Sequence, residues 1–311
     1  MRVLVHMNWK MVERVRAAGL PVEVVHVPPD APPPADVRGD ILLALGWNTP
    51  HLVPLIEQAN PRWIHTYSTG VDAFPVHAVG SRLFTCSRGA SAVPIAEWVL
   101  AQMLAFEKRL PETWIDQPPA RIYFPPTPLG ALRGRSLVVI GIGGIGAAVA
   151  RRALAFEMRV SAVRNSPRPS PVPGVSVAAD LAAALAQADH VVLATPLTPR
   201  TRHIIDARAL GAVKPGVYIV NPARGGLIEE SALRAALDDG RVAGAALDAV
   251  EPEPLPAGHW MYSHPRVRLS AHVSWDAPES FDEILQPFVD NVRRYLAGEP
   301  LLGIVDKDAG Y

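Results

Sequence analysis

Four groups of residues in this chain carry types and spacings that do chemistry. The first is the run Leu137-Val-Val-Ile-Gly-Ile-Gly-Gly-Ile-Gly146, in which Gly141, Gly143 and Gly146 fit G-x-G-x-x-G. At a strand-to-helix turn that pattern brings a dinucleotide pyrophosphate onto a helix N-terminus. The first glycine permits the tight turn, the second admits phosphate to the backbone, and the third lets helix and strand pack closely. The other groups are Val220-Asn-Pro-Ala-Arg224, Leu247-Asp-Ala-Val-Glu-Pro-Glu-Pro254 and Leu269-Ser-Ala-His-Val-Ser-Trp275. They offer Arg224, then Asp248 and Glu253, then His272. An arginine presents a planar fork to a carboxylate. An imidazole gives or takes a proton near neutral pH. Singly these are ordinary loop residues; at three successive strand ends beside a nucleotide turn they point to one site.

Those ends need strands to hold them. Short apolar runs at 2–6, 22–27, 41–45 and 63–67 read as buried strands, with helices at 9–18 and 51–58 between them. Alternating strand and helix implies a parallel sheet covered on both faces. Ser91 is placed to cap a long helix reaching about residue 109, with Pro94 tolerated in its first turn. A second series starts at Ser136, with strands at 137–140, 159–163, 190–194, 217–220, 243–247 and 267–270 and a helix at 147–156. The segment 280–296 then crosses back to the first series. The expected fold is α/β, with two doubly wound parallel-sheet domains. A Rossmann dinucleotide-binding domain, 98–276, is inserted into a flavodoxin-like substrate domain formed by 1–97 and 277–311. The active site is expected in the cleft between them, where strand C-termini point.

Composition narrows the function classes. The 311 residues suit two domains. With 19% charged residues and no formal net charge, the chain lacks the dense positive surface that nucleic acid or an anionic membrane requires. Cys86 is the single cysteine, so no internal disulfide and no cysteine metal cluster forms. The opening apolar run is too short for a signal peptide, and no window approaches the ~18 uninterrupted apolar residues of a membrane span. A soluble, cytoplasmic protein is expected. The 32 prolines concentrate at 28–34, 118–128 and 167–173, which read as stiff surface connections.

Taken in order, the motifs resemble the D-isomer-specific 2-hydroxyacid dehydrogenase family. The likeness runs from Tyr67-Ser-Thr-Gly-Val-Asp72 through Ala96-Glu97-Trp98, the glycine turn, Ala194-Thr-Pro-Leu-Thr-Pro-Arg-Thr201 and the three strand-end segments, which is most of the chain. It implies that Arg224, Glu253 and His272 are catalytic. Reducing a 2-keto acid needs a hydride donor, a cation for the carboxylate and an acid for the carbonyl oxygen. Arg224 suits the carboxylate and His272 the proton. Glu253, rather than Glu251, occupies the Glu-Pro position of the family segment; hydrogen-bonded to the imidazole, it would fix the tautomer and favour the charged form.

The resemblance further implies that Ser68, Thr69, Gly70 and Val71 bind the substrate carboxylate through backbone N–H groups, a nest. Trp47 and Trp275 would wall the pocket; the family often has a small residue at the second position. Backbone at Gly144 and Ile145 would meet the pyrophosphate, Thr195, Pro196 and Thr201 the adenosine half, and Ala223 and Asp248 the nicotinamide carboxamide. A homodimer is implied, contacting through the helix from Ser91 and the segment 111–128 with its Trp114, Ile122, Tyr123 and Phe124.

Cofactor choice is read from the second strand of the Rossmann series. An acidic residue about 20 positions past the glycines holds the adenine ribose hydroxyls of NAD. Here the strand ends Ser161-Ala-Val-Arg-Asn-Ser-Pro-Arg168, without a carboxylate. Arg164, Asn165, Ser166 and Arg168 would pair with a 2′-phosphate that an acid would repel. NADP(H) is expected over NAD(H), with NAD(H) possible. The expected activity is NADPH-dependent reduction of small 2-keto acids, of the glyoxylate or hydroxypyruvate type, to D-2-hydroxy acids. Two alternatives stand beside it: a formate- or phosphite-type dehydrogenase of the same fold, and a non-catalytic NAD(P)-sensing corepressor or scaffold. In formate enzymes a Gln pairs with the histidine, so Glu253 argues against that branch.

Overall fold

The computed structural model describes residues 1–118, 128–166 and 168–311. The chain divides into two compact units, Met1–Ser91 with Ala277–Tyr311, and Ala92–Asp276. The division falls six residues before the expected 97/98 boundary. Ala92–Lys108 is one unbroken helix whose buried side, including Ala92, Ile95, Val99 and Met103, packs into the core of the second unit. A helix with one continuous apolar stripe belongs to one core.

In the first unit, β1 (Arg2–His6), β2 (Glu23–His26), β3 (Ile41–Ala44), β4 (Trp63–Thr66) and β5 (Leu83–Cys86) form a parallel sheet in the order β2-β1-β3-β4-β5. Val3, Leu4 and Val5 are fully buried, as a strand covered on both faces requires. Helices α1 (Trp9–Ala17), α2 (Leu52–Ala59) and α3 (Val76–Val79) join the strands; the Asn8 side chain caps α1. The C-terminal helix, Ser280–Leu296, buries Leu285, Phe288, Val289 and Val292 against Val3, Val5, Val12 and Trp63. Strand β5 was not foreseen. Its four residues start on an exposed Leu83 and include Thr85, so no apolar run marks it.

In the second unit the helix Ala92–Lys108 (α4) precedes seven parallel strands. These are β6 (Ser136–Ile140), β7 (Arg159–Val163), β8 (Ser176–Val177), β9 (His190–Leu193), β10 (Val217–Asn221), β11 (Val242–Leu247) and β12 (Val267–Leu269). Their order is β12-β11-β10-β9-β6-β7-β8. The chain starts in the middle, builds one edge through β7 and β8, then returns to build the other from β9. That reversal between β6 and β9 is the switch point where open α/β sheets bind ligands. Helices α5 (Gly144–Ala155), α6 (Leu181–Leu185), α7 (Ala207–Ala212) and α8 (Glu230–Asp238) cover the sheet. The two-residue β8, exposed at both positions, carries no periodicity a sequence could reveal.

Among the described residues, no helix is long and apolar enough to cross a membrane, and no group of three or more His, Cys, Asp and Glu could hold a metal ion. In the segment 111–128, Trp114 and Ile115 are exposed. Ile122, Tyr123 and Phe124 lie outside the described residues, as does Pro167.

Candidate active site

Every strand of the second sheet is parallel, so their C-termini share one edge. The glycine turn follows β6 there. Gly141 has φ 95°, and a Cβ on it would lie 2.5 Å from the Ala194 carbonyl oxygen. On Gly146 a Cβ would lie 1.9 Å from the Gly141 carbonyl oxygen, so any side chain forces α5 away from β6. Gly143 differs: a Cβ there meets nothing within 4 Å. It faces open space at the N-terminus of α5, which no side chain caps. The backbone N–H groups of that first turn, with the helix dipole behind them, suit a diphosphate. The donor set therefore fits a dinucleotide.

These geometries predict opposite outcomes for two alanine variants. Gly146→Ala destabilises the unit by a few kcal/mol, as overpacking against rigid backbone does. Gly143→Ala leaves the melting temperature within about 2 °C and raises the cofactor Kd about tenfold or more, because the methyl enters phosphate space. Thermal unfolding and cofactor titration check both.

At the end of β7, Arg164 donates through Nη1 to the Pro169 carbonyl (2.9 Å), one of its five N–H groups. Asn165 and Arg168 are exposed, and the Ser166 hydroxyl accepts from the Arg168 N–H (3.5 Å). After β9, the Thr201 hydroxyl donates to the Pro196 carbonyl (2.6 Å) and accepts from the Thr198 N–H (2.8 Å). Thr201 thus fixes the loop that carries Thr195 and Pro196.

The three chemical residues follow three neighbouring strands. Arg224 leaves β10 in an extended conformation (φ −146°), and its Nη1 donates to the Ala223 carbonyl (2.9 Å). His272 leaves β12 in the left-handed region (φ 55°). Its Nδ1 lies 3.0 Å from Glu253 Oε2, and both side chains are partly exposed, at 36% and 42%. Glu251 is turned elsewhere: Arg202 grips it with two 2.8 Å bonds, and that hydrogen-bonded guanidinium holds the carboxyl below its ordinary pKa. Of the two carboxylates, Glu253 is the one paired with the histidine.

Backbone bonds lace the three loops together. The Asp248 N–H donates to the Asn221 carbonyl (3.0 Å), and the His272 N–H donates to the Asp248 carbonyl (3.0 Å). For Asp248, expected beside the nicotinamide carboxamide, the structure shows a fully buried carboxylate. It accepts from the Ser270 hydroxyl and from the N–H groups of Val273 and Ser274 (both 2.9 Å). What it holds is the loop of His272. Trp275 is partly buried against the core of its unit, and its indole donates to the His272 carbonyl (2.9 Å). It braces the same loop.

Asn221 and Gly225 were missed by the reading of the sequence. Asn221, fully buried at the end of β10, donates to the Arg224 carbonyl (2.8 Å) and accepts from the Ala223 N–H (3.1 Å). A Cβ on Gly225 would lie 2.1 Å from the Val250 carbonyl carbon. An Asn closing a turn two residues on was a readable signal; the close approach at Gly225 was not.

In the first unit, the segment 68–71 follows β4. Among the described residues none of its N–H groups donates to a backbone carbonyl, which is what a nest for an anion requires. The Ser68 hydroxyl donates to the Gly70 carbonyl (2.6 Å), and the Thr69 hydroxyl to the Ser87 carbonyl (2.8 Å). Val71 is buried. Trp47, after β3, is 54% exposed.

Comparison with known proteins now decides the family. Residues 100–274 match the profile described as D-isomer specific 2-hydroxyacid dehydrogenase, NAD binding domain. The chain belongs to that family. It is 30% identical over 302 residues, 92% of its length, to a glyoxylate reductase of Thermofilum pendens, covering 88% of that protein. To a hydroxypyruvate reductase of Thermotoga maritima it is 37% identical over 166 residues, covering 53% of this chain and 54% of that one. Among solved structures, a D-isomer specific 2-hydroxyacid dehydrogenase of Xanthobacter autotrophicus Py2, in complex with NADPH and MES, aligns at TM-score 0.82. That alignment has 27% identity and covers 100% of this chain and 99% of the other. As a member of this family, the chain is an NAD(P)-dependent oxidoreductase.

Proposed function

We propose that this dehydrogenase reduces small 2-keto acids of the glyoxylate and hydroxypyruvate type to D-2-hydroxy acids, with NADPH as the preferred reductant. The observation that carries the proposal is the 3.0 Å contact between His272 Nδ1 and Glu253 Oε2. With Nδ1–H donated to the carboxylate, the ring turns Nε2 away from Glu253, and in its charged form it presents Nε2–H there. When bound, the nicotinamide supplies the hydride that reduces the keto carbon. Arg224 holds the substrate carboxylate and polarises the adjacent carbonyl through the two arms of its guanidinium. His272 donates its Nε2 proton to the carbonyl oxygen, and Glu253 stabilises the imidazolium until then. Asp248, Asn221 and Trp275 keep the two loops in place. The 68–71 turn takes the carboxylate through its N–H groups, and Trp47 and Trp275 limit the side chain. The same reading makes the chain a homodimer.

NADPH preference rests on the end of β7, where Arg164, Asn165, Ser166 and Arg168 stand without a carboxylate. It is supported by the relative crystallised with NADPH. Arg164→Asp is expected to raise KM for NADPH by about tenfold to a hundredfold, the loss of one or two charged hydrogen bonds. KM for NADH then changes little. Equal effects on both cofactors overturn the assignment, and no NADPH oxidation with any of a broad panel of keto acids overturns the activity.

A further inference from the structure

Next to the 68–71 turn, the polar side chains that the first unit buries completely include Trp63, Thr85, His65 and Ser87. They stand in a line. Trp63 Nε1 lies 2.8 Å from Thr85 Oγ1, which lies 2.7 Å from His65 Nδ1. His65 Nε2 lies 3.1 Å from Ser87 Oγ, which lies 2.7 Å from the Ile284 carbonyl oxygen, in the C-terminal helix.

The two ends and the neutrality of the buried ring settle the protons between them. A carbonyl only accepts, so the Ser87 hydroxyl donates to Ile284. The Ser87 oxygen therefore receives its other bond from His65 Nε2–H. An indole N–H only donates, so Thr85 Oγ1 accepts from Trp63 on one lone pair. The His65 ring is fully buried, which lowers its pKa to about 3 and keeps it neutral. With its one proton on Nε2, Nδ1 is a bare acceptor, and the Thr85 hydroxyl donates to it. That assignment satisfies all four bonds.

Ser87 also reaches the turn itself. Its N–H donates to the Ser68 carbonyl (3.0 Å), and its carbonyl accepts from the Thr69 hydroxyl (2.8 Å). One residue thus joins β4, β5, the C-terminal helix and both sides of the Ser68–Thr69 peptide. A nest binds an anion only while its successive N–H groups converge, so rotation of one peptide removes a donor.

We propose that Trp63, Thr85, His65 and Ser87 form a one-way hydrogen-bond chain that fixes the 68–71 turn and makes Ser87 a positioning residue for the substrate carboxylate. The proposal rests on reading that turn as the carboxylate nest. The chain ends at Ile284, so the C-terminal helix bears on the same turn; Tyr67 adds a second tie, its hydroxyl donating to the Phe281 carbonyl (2.8 Å).

The test compares Ser87→Ala, Thr85→Val and Thr85→Ser in the full-length protein, by two readouts. The first is hydrogen exchange of the residue-87 amide, which reports its bond to Ser68 and needs no substrate. The second is the split between KM and kcat for glyoxylate. Ser87→Ala and Thr85→Val are expected to speed that exchange and to raise KM about tenfold, with kcat within about twofold of wild type. Thr85→Ser, which keeps the hydroxyl, restores both. Unchanged exchange in both variants overturns the chain. Faster exchange with unmoved KM, or a fall in kcat alone, overturns the positioning role. If the wild type turns over no keto acid, the functional reading fails, and the exchange measurement alone decides whether the chain holds the turn.

Discussion

Replacing His272 with glutamine is expected to lower kcat for keto acid reduction by about a thousandfold, with KM for the keto acid little changed. General acid catalysis contributes about 10²–10⁴ in rate, and the proton is needed only as charge develops on the carbonyl oxygen. Glutamine can still hydrogen-bond the ground-state carbonyl, so binding survives and proton donation does not. Glu253→Gln costs less, about tenfold to a hundredfold, because the imidazole remains and only its orientation and charge stabilisation suffer. Since Glu253 meets the ring at 3.0 Å, the two residues act as one unit. The double variant is therefore expected to be no slower than His272→Gln alone. Steady-state kinetics check this, and additive losses in the double variant contradict it.

Arg224→Lys carries the second large effect, on both kinetic constants. A lysine keeps the charge but replaces the planar fork with a point donor, so carboxylate and carbonyl are no longer held together. The loss of one charged hydrogen bond is worth about 1.5–3 kcal/mol. That corresponds to about a tenfold to hundredfold fall in kcat/KM. Arg224→Ala falls further, by about another factor of ten, because the charge goes too. The Asn221 side chain holds the Arg224 loop by bonds to main-chain groups, not to the guanidinium, so the lysine variant should melt within about 2 °C of wild type. A kcat/KM that Arg224→Lys leaves unchanged contradicts the assignment.

Much of this fold was legible because buried parallel strands announce themselves. Val3 to Val5, Leu137 to Ile140 and His190 to Leu193 are nearly unbroken apolar runs, and the structure covers both their faces. The glycine turn was legible for a different reason: backbone approaches of 2.5 Å and 1.9 Å leave no residue but glycine at Gly141 and Gly146. The strand-end positions of Arg224, Glu253 and His272 followed once the strands were placed.

What escaped depends on contacts between residues far apart in sequence. Strand β5 pairs with β4, and its Thr85 serves Trp63 and His65; a lone threonine gives no sign of such partners. Asp248 looks like a strand-end turn residue until Ser270, Val273 and Ser274 are seen to converge on it. The unit boundary moved to 91/92 for the same kind of reason, since helix α4 follows the core it packs into.

The central claim is hydride delivery to a keto carbon with a proton supplied by His272. Its most direct test is a turnover with NADPH carrying two deuterons at the nicotinamide C4 and hydroxypyruvate, followed by isotopic and chiral analysis of the product. The account predicts D-glycerate carrying the deuterium at C2, formed by wild type and nearly lost in His272→Gln. Glycerate without the label, the L isomer, or equal yields from both proteins would contradict it.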